Sequence, residues 1–355
     1  MRVTLINYFK DAERLTAITA KSTQSLYTPT DLFDILSEEE VKELEEEMLK
    51  YAVEHKLSSV LDFPYYIVEI KDVSRSFTHQ WVRHRLAAHM QQSLRYVKVL
   101  DDKAIEIEKY GKDILVSFPP WFVIPPSVLM SKPEAIVKFV KSMYISGKTY
   151  VELLKEEIKE ERFKKWFLVR NKDYIPKEDA RFVLPIGTKT FISSAMDAEE
   201  LLHIIKVRTC MDAQWEIRTA AWTLALLAYI THPRIFYRFG PWCIQERCRG
   251  FFIYRDKNCA KNIYNLKEEL KEAGDLLRKE FENEREGEIN TKYGKIKYYV
   301  EKFKEKYFVI DLTEIFGYIP PEEKRIKVIE LLEKEGLKLD ERLLEFKVIG
   351  RIRYI

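Results

Sequence analysis

The segment that most constrains the fold is residues 74–96, SRSFTHQWVRHRLAAHMQQSLRY, in which cationic side chains alternate with apolar ones. Read as a helix, it places Arg75, His79 and Arg83 on one face, because they recur every four positions. The interleaved apolar residues predict that this helix is at least half buried. Half-buried arginines need anionic partners, and phosphate matches the planar guanidinium best. The segment therefore predicts a site for a phosphate-bearing ligand, against two simpler alternatives, a solvated basic surface or a nucleic-acid-binding helix.

Length and charge narrow the class of protein. The chain has 355 residues, enough for one large or two moderate domains with a sizeable core. Its 60 basic and 57 acidic residues leave a net charge of +3, which argues against a general nucleic-acid coat and for localised charge. No apolar run is long enough to span a bilayer, and the first residues have no signal-peptide pattern. We therefore expect a cytoplasmic protein with no membrane partner.

The hydrophobic pattern of the first 75 residues predicts strands alternating with helices. Residues 2–9 and 65–73 have the composition of strands, and residues 11–23 have the spacing of a helix. Residues 37–57 predict a second helix, with Ser37 as its N-cap and acidic residues in its first turn. This order indicates the start of an α/β unit.

The middle of the chain is harder to assign. Residues 114–128, ILVSFPPWFVIPPSV, are punctuated by proline and predict an edge strand or a loop. Residues 132–158 predict a pair of helices broken near Gly147. From Ala195 to about Ile230 the apolar spacing predicts one long helix, interrupted around TCMD.

The composition changes after Cys259. Residues 266–307 are dense in charge with helical spacing, residues 319–340 contain a helix started by proline, and residues 344–355 predict a closing strand. We therefore expect a main domain over residues 1–259. Residues 260–355 are then an addition, either an appended domain of helical and α+β character or an oligomerisation element.

Three motifs lie in order along the chain. Arg83-His84-Arg85 is followed after seven residues by Ser93, residues 177–185 read KEDARFVLP, and residues 196–221 read MDAEELLHIIKVRTCMDAQWEIRTAA. On these motifs, residues 1 to about 250 resemble the flavin-dependent thymidylate synthases, the ThyX family. The resemblance implies an α+β fold with a mixed sheet flanked by helices. The C-terminal region would add a small charged α/β extension to it.

The resemblance also implies an activity. A member of this family is a methyltransferase that converts dUMP to dTMP, with methylene-tetrahydrofolate or a related pterin as carbon donor and with FAD reduced by NADPH. It is a homotetramer whose sites lie between subunits. The residue types agree with a flavin route, because the common alternative needs a cysteine nucleophile and no cysteine precedes residue 210.

By resemblance, two sets of residues bind the ligands. Arg208 would also stabilise the negative charge that develops on the uracil ring, as an oxyanion hole does. The side chains of Arg95 and Arg181 can fork onto a phosphate, while amides can pair with a base or sugar edge. Ser93 is better read as a positioning hydroxyl than as a nucleophile, because no His–Asp relay is evident beside it. The dUMP set is Gln80, Arg83, Gln91, Ser93, Arg95, Arg181 and Arg208, and the FAD set is Ser59, Arg83, His84, Arg85, Asp197 and His203.

Some flavin-side positions differ from the family pattern. Residues 57–63 read LSSVLDF where the family has H-x-S-V-L-E-H, so Leu57 and Phe63 replace histidines. Glu199 replaces an arginine, which exchanges attraction for repulsion near a pyrophosphate. These changes leave two alternatives open. One is a paralogue acting on another pyrimidine nucleotide or pterin, and the other is a non-catalytic protein that binds nucleotides or nucleic acid, although the near balance of charge makes nucleic acid the weaker choice.

Four cysteines occur at positions 210, 243, 248 and 259. In a chain of this size they fit a reducing compartment better than a disulfide scaffold. A structural metal on Cys243, Cys248 and Cys259, with Cys210 or His232 as fourth ligand, is one alternative, but zinc sites usually have tighter cysteine pairs. We therefore expect no metal and four free thiols.

Overall fold

The structure, a computed structural model, describes residues 1–100, 116–118, 120–169, 172–245, 247–251 and 256–355. Its strands are β1 (Arg2–Tyr8), β2 (Tyr65–Ser74), β3 (Ala88–Gln91), β4 (Val116–Phe118), β5 (Lys189–Asp197), β6 (Gly287–Thr291), β7 (Gly294–Lys302), β8 (Lys306–Asp311), β9 (Leu337–Leu339) and β10 (Ile349–Arg353). Its α-helices are α1 (Ala12–Ser22), α2 (Pro29–Ile35), α3 (Glu38–His55), α4 (Ser58–Leu61), α5 (Arg75–Trp81), α6 (Pro126–Met130), α7 (Pro133–Leu153), α8 (Arg162–Val169), α9 (Lys177–Ala180), α10 (Ala198–Arg208), α11 (Trp215–Thr231), α12 (Pro233–Phe236), α13 (Trp242–Gln245), α14 (Cys259–Glu282), α15 (Thr313–Phe316) and α16 (Glu322–Glu333). Among these residues, no helix combines the length and apolar character needed to cross a membrane.

An eight-stranded sheet organises the fold, in the order β3-β5-β2-β1-β10-β8-β7-β6. Strands β1 and β10 pair in parallel, and every other pair in this sheet is antiparallel. Helix α11 packs on its centre, where the missing side chain of Gly350 on β10 leaves room for Leu227 and Thr223. The expected α+β fold, a mixed sheet flanked by helices, is confirmed.

The C-terminal strands belong to the same sheet as the N-terminal ones. Strand β10 lies between β1 and β8, with Val3 opposite Gly350, and β7 and β6 continue the sheet beyond β8. The division of the chain at residue 259 stays a prediction. The closing strand and the proline-started helix, α16, are where the sequence predicts them.

Local signals near the N-terminus predict its elements well. Strand β1 and helix α1 form as expected. Ser37 caps α3 in a capping box, in which its hydroxyl accepts from the amide of Glu40 and the Glu40 carboxylate accepts from the amide of Ser37. Strand β2 alternates buried and exposed side chains, and Tyr66 and Val68 are fully buried.

Four predicted elements are wrong, at least in part. The helix over the cationic segment ends at Trp81, because residues 88–91 pair with β5 as strand β3, so Arg83 lies in the intervening turn and shares no helical face with Arg75. Helix α7 continues through Gly147, whose missing Cβ lets Leu100 and Trp121 pack against the helix. Residues 195–197 finish β5 before α10 begins, although the break before α11 is confirmed. Residues 287–302 form the β6–β7 hairpin rather than a helix.

The proline-punctuated segment is described only in part. Residues 114, 115 and 119 lie outside the described residues. Strand β4 pairs with β9 in a separate two-stranded sheet, which agrees with the predicted edge strand.

Two buried histidines make the fold sensitive to acid. His232 accepts a hydrogen bond from the Tyr66 hydroxyl at Nδ1 (3.0 Å) and donates from Nε2 to the carbonyl of Phe9 (2.9 Å). Burial lowers the pKa of His232 to about 4, and burial first, then the charge of Arg208, lowers that of His84 to about 3. Both rings stay neutral in the folded state while the unfolded state takes up protons below pH ~6.5. The free energy of unfolding therefore decreases as the pH falls below ~6.5, by at most about 1.4 kcal/mol per pH unit for each histidine.

We expect His232→Gln to reduce this loss by up to about half, because the amide keeps both hydrogen bonds but takes up no proton. The free energy of unfolding in denaturant, measured at pH 7 and pH 5, gives the difference for the wild type and the variant. His55→Gln, at an exposed histidine, is the matched control. Equal losses in wild type and His232→Gln would contradict the prediction.

Candidate functional site

The cationic segment is anchored where it leaves the sheet. Ser74 caps α5, its hydroxyl accepting from the amide of Phe77 (3.1 Å). Glu216 of α11 accepts from the Ser74 amide at 2.7 Å and from the Ser74 hydroxyl at 2.5 Å, and its side chain is fully buried. Glu216 is the glutamate of AQWEIR, so the third motif fixes the start of the cationic segment at Ser74.

The turn after α5 separates the three residues of the RHR motif. Arg83 and Arg85 are exposed, and neither side chain has an ion pair within the part of the chain that the structure describes. His84 between them is buried, with 5% of its surface exposed. The turn thus presents two unpaired cations to solvent and one imidazole to the interior.

His84 meets Arg208 inside the protein. The Arg208 Nε donates to the Nε2 of His84 at 2.9 Å, and its Nη2 lies 3.5 Å from the carbonyl of Gln80. Arg208 is half-buried, and burial lowers its pKa. Because an arginine Nε can only donate, Nε2 of His84 must be the acceptor, and the proton of this neutral ring lies on Nδ1.

A buried carboxyl stands on the other side of that ring. Glu200 Oε1 lies 3.7 Å from the Nδ1 of His84, and Glu200 is 3% exposed. Burial raises the pKa of Glu200, and the charges of Asp197 and Glu199 raise it further. Glu200, His84 and Arg208 thus lie in a row, with the buried carboxyl at one end and the half-buried guanidinium at the other.

Arg208, with His84 and Gln80, forms one cationic group. A second cationic group forms around helix α9. Arg95 Nε donates to Glu178 Oε2 at 2.9 Å, and Arg181 Nε donates to the carbonyl of Glu178 at 3.1 Å. Arg75 donates from Nη2 to the carbonyl of Gln92 at 2.6 Å; burial lowers its pKa, and the nearby charge of Arg181 lowers it further. The Nε of Arg75 is buried and has no partner among the described atoms. This group carries more positive charge than its carboxylate neutralises, as an anion site requires.

The remaining predicted dUMP residues join these groups to the sheet. Ser93 Oγ accepts from the amide of Arg95 at 3.2 Å, which places the serine in the second group. Gln91 donates from Nε2 to Thr78 Oγ1 at 2.7 Å, and Gln80 donates to the carbonyl of Ser76 at 3.3 Å. Among the described residues, no hydrogen bond joins the group around Arg208 to the group around Arg181.

The predicted flavin residues are more dispersed. Asp197 caps α10, its Oδ1 accepting from the amide of Glu200 at 2.8 Å, and burial raises its pKa. His203 is exposed on α10, and its ring centroid lies 6.1 Å from that of His84. Ser59 of α4 lines a cavity of about 460 Å³ together with Leu57 and Phe63. No hydrogen bond joins Ser59 to either cationic group in the described ranges.

The chemistry of the exposed turn fits a flavin dinucleotide. Arg83 and Arg85 are unpaired cations three and five residues beyond Gln80. Their forks suit a pyrophosphate, and no carboxylate among the described residues competes for them. Asp197 and Glu199 lie at the start of α10, Asp197 as its N-cap and Glu199 in its first turn.

The cysteines stay free thiols in the structure. Cys210 lies in the α10–α11 turn, and a Cβ on Gly250 would stand 3.0 Å from its sulfur, while Cys248 contacts the carbonyl of the same glycine at 3.9 Å. Burial raises the pKa of the Cys243 thiol to about 11. Within the described residues, no three His, Cys, Asp or Glu side chains come together as a metal site requires.

Several polar residues at the site carried no sequence signal of their own. Glu178 and Glu216 lie inside the quoted motifs, so their neighbours could have indicated them. Glu200 follows the substituted Glu199 and reads as an ordinary first-turn acid. His89 and Ser194 are isolated polar residues in strands, and only the sheet register brings them beside the motif.

Comparison with known proteins identifies the family of the chain. The family described as "Thymidylate synthase complementing protein" (Thy1) matches residues 4–234. The chain is 33% identical over 244 residues to a flavin-dependent thymidylate synthase of Sulfurisphaera tokodaii, covering 69% of this chain and 79% of the relative. It is 34% identical to those of Saccharolobus solfataricus (246 residues; 68% and 78%) and Pyrococcus abyssi (251 residues; 69% and 87%). The predicted resemblance is confirmed, and the chain belongs to the family of the flavin-dependent thymidylate synthases, a family of methyltransferase-type enzymes.

Proposed function

We propose that this protein is a flavin-dependent thymidylate synthase that methylates dUMP at C5 of the uracil to give dTMP. One observation carries the proposal. Arg208 is half-buried, and its hydrogen-bond partners are the neutral ring of His84 and the carbonyl of Gln80. Among the described residues no carboxylate neutralises it. Its charge is therefore available to an anion.

The reaction needs such a charge. Transferring a carbon unit to C5 requires electron density on that carbon, so negative charge develops on the uracil ring and its carbonyl oxygens. A fixed guanidinium in a partly buried site stabilises that charge without reorganising, which is how an oxyanion hole acts. Gln80, on the same side, has an amide suited to a base edge.

The dUMP phosphate would be bound by the second group, in which Arg95 and Arg181 meet at Glu178. We propose that one site combines the Arg208 group of one subunit with the Arg181 group of another, in a homotetramer. The sheet face opposite α11 supports this, because it exposes the apolar side chains of Tyr65, Ile67, Met90 and Phe191.

We further propose FAD as the cofactor, with Arg83 and Arg85 on its pyrophosphate and with Ser59, His84, Asp197 and His203 nearby. Bound flavin supplies the reducing equivalents of the methyl transfer, and NADPH is the proposed reductant. The carbon donor would be methylene-tetrahydrofolate or a related pterin. The four free thiols support the cytoplasm as the compartment.

The experiment is tritium release from dUMP labelled at C5, in the presence of NADPH and methylene-tetrahydrofolate. We expect the purified protein to be yellow with flavin and to release tritium in step with dTMP. A parallel assay with other reduced pterins identifies the donor. Protein that binds dUMP but neither binds FAD nor releases tritium with any donor would contradict the proposal.

A further inference from the structure

A chain of buried hydrogen bonds leads from α5 to the RHR turn and passes through residues that belong to neither predicted ligand-binding set. Trp81 Nε1 lies 2.9 Å from Ser194 Oγ on β5, and Ser194 Oγ lies 2.8 Å from His89 Nδ1 on β3. The Nε2 of His89 lies 2.9 Å from the carbonyl oxygen of His84. At most 2% of the surface of Trp81 or Ser194 is exposed, and His89 is half-buried.

The direction of each bond follows from its end groups. A carbonyl only accepts, so His89 donates from Nε2 to His84. An indole only donates, so Ser194 Oγ accepts from Trp81. Because Ser194 Oγ already accepts from Trp81, its own hydroxyl proton is free to donate to Nδ1 of His89. Each bond in this chain uses a donor and an acceptor that the protein itself supplies.

The far end of this chain is the residue that holds Arg208. The backbone of His84 is fixed by His89, and the ring of the same residue accepts from the Arg208 Nε at 2.9 Å. We propose that His89 and Ser194 are positioning residues for Arg208, acting through His84. The expected effect of these residues on turnover rests on the proposed function, whereas the hydrogen bonds that hold His84 do not.

The alternation of side chains along strand β3 places His89 on the same face of the sheet as Ser194. His89 and Met90 are neighbours on β3, but their side chains point to opposite faces of the sheet, His89 opposite Ser194 and Met90 opposite Ser193. Because Met90 faces the proposed subunit interface, the control comes from another exposed methionine, Met130 on α6, which is 57% exposed.

We expect His89→Leu to lower kcat by at least about 10-fold with little change in the KM for dUMP, because a displacement near 1 Å at a catalytic group can cost up to ~100-fold. His89→Gln should restore most of the rate, since its amide nitrogen can reach the His84 carbonyl as the imidazole does. Met130→Leu, on α6, should leave kcat unchanged.

A second readout does not require turnover. The chain has six histidines, so selective 15N labelling resolves each ring in a pH titration. In the wild type we expect the pKa of His84 near its lowered value of about 3, held there by burial and by Arg208. In His89→Leu the freed turn lets that pKa rise toward the ordinary value near 6.5. In His89→Gln it stays low.

The proposal is overturned if His89→Leu keeps both the wild-type kcat and the lowered pKa of His84. If His89→Leu does not fold, Ser194→Ala takes its place with the same two expectations, because it removes the hydroxyl that orients His89. Wild-type protein without tritium release would refute the proposed function, and the His84 titration would still decide whether His89 and Ser194 hold the turn.

Discussion

Arg208→Ala is expected to lower kcat/KM for thymidylate formation by at least ~100-fold, the usual cost of removing one oxyanion-hole donor. The guanidinium is half-buried beside a neutral imidazole, so no second charge stands ready to replace it. Loss of the side chain also frees the ring of His84, which then has no donor at Nε2. The fold should persist, because Arg208 lies at the end of α10 and is not part of the core.

Steady-state kinetics with labelled dUMP test this expectation, and circular dichroism checks the fold. Arg208→Lys separates charge from geometry: lysine keeps the positive charge but cannot donate from an Nε to His84 while reaching a carbonyl with a second nitrogen. We expect it to recover only part of the lost rate. Arg342→Ala, at a surface arginine whose side chain is 76% exposed, is the matched control. Equal rates for Arg208→Ala and this control would contradict the proposed role.

Local signals account for much of the fold. The capping box at Ser37 predicts the start of α3, and alternation predicts β2, because both depend on neighbours within a few residues. The same reasoning fails at Arg83, where helical spacing continues into the sequence but pairing of β3 with β5 ends the helix at Trp81. A strand partner one hundred residues away leaves no mark on local periodicity. The place of β10 between β1 and β8 is hidden for the same reason.

For the candidate site, too, the sequence predicts some features and not others. The motifs predict which residues carry the chemistry, and the structure brings Gln80, His84 and Arg208 into one group. Periodicity could not predict that His84 would turn inward while its two arginine neighbours turn outward, since that depends on the turn after α5. Nor could it predict that Asp197 would cap α10, although a residue of this type just before an apolar helix favours that role.

Glu216→Ala is expected to lower the free energy of unfolding by roughly 3 kcal/mol, the cost of breaking a buried charged network on one side. The carboxylate accepts from both the amide and the hydroxyl of Ser74, and all three groups are out of water. Its removal leaves the two donors of Ser74 without an acceptor and opens a space between α11 and the start of α5. The RHR turn at the other end of α5 should lose order with it.

Denaturant unfolding at pH 7 measures this loss, and Glu323→Ala supplies the control. Both glutamates lie in the first turn of a helix, but Glu323 is exposed on α16, so its replacement should cost less than about 1 kcal/mol. Glu216→Gln should fall between them, because its amide oxygen keeps one acceptor.

Burial raises the pKa of Glu216, so the folded state keeps the carboxyl proton of Glu216 to a higher pH than the unfolded state does. The contribution of this carboxyl to stability then declines as the pH rises through the folded pKa, and Glu216→Gln should remove that part of the pH dependence. Similar losses for Glu216→Ala and Glu323→Ala would show that the contact between the third motif and α5 contributes little to the fold.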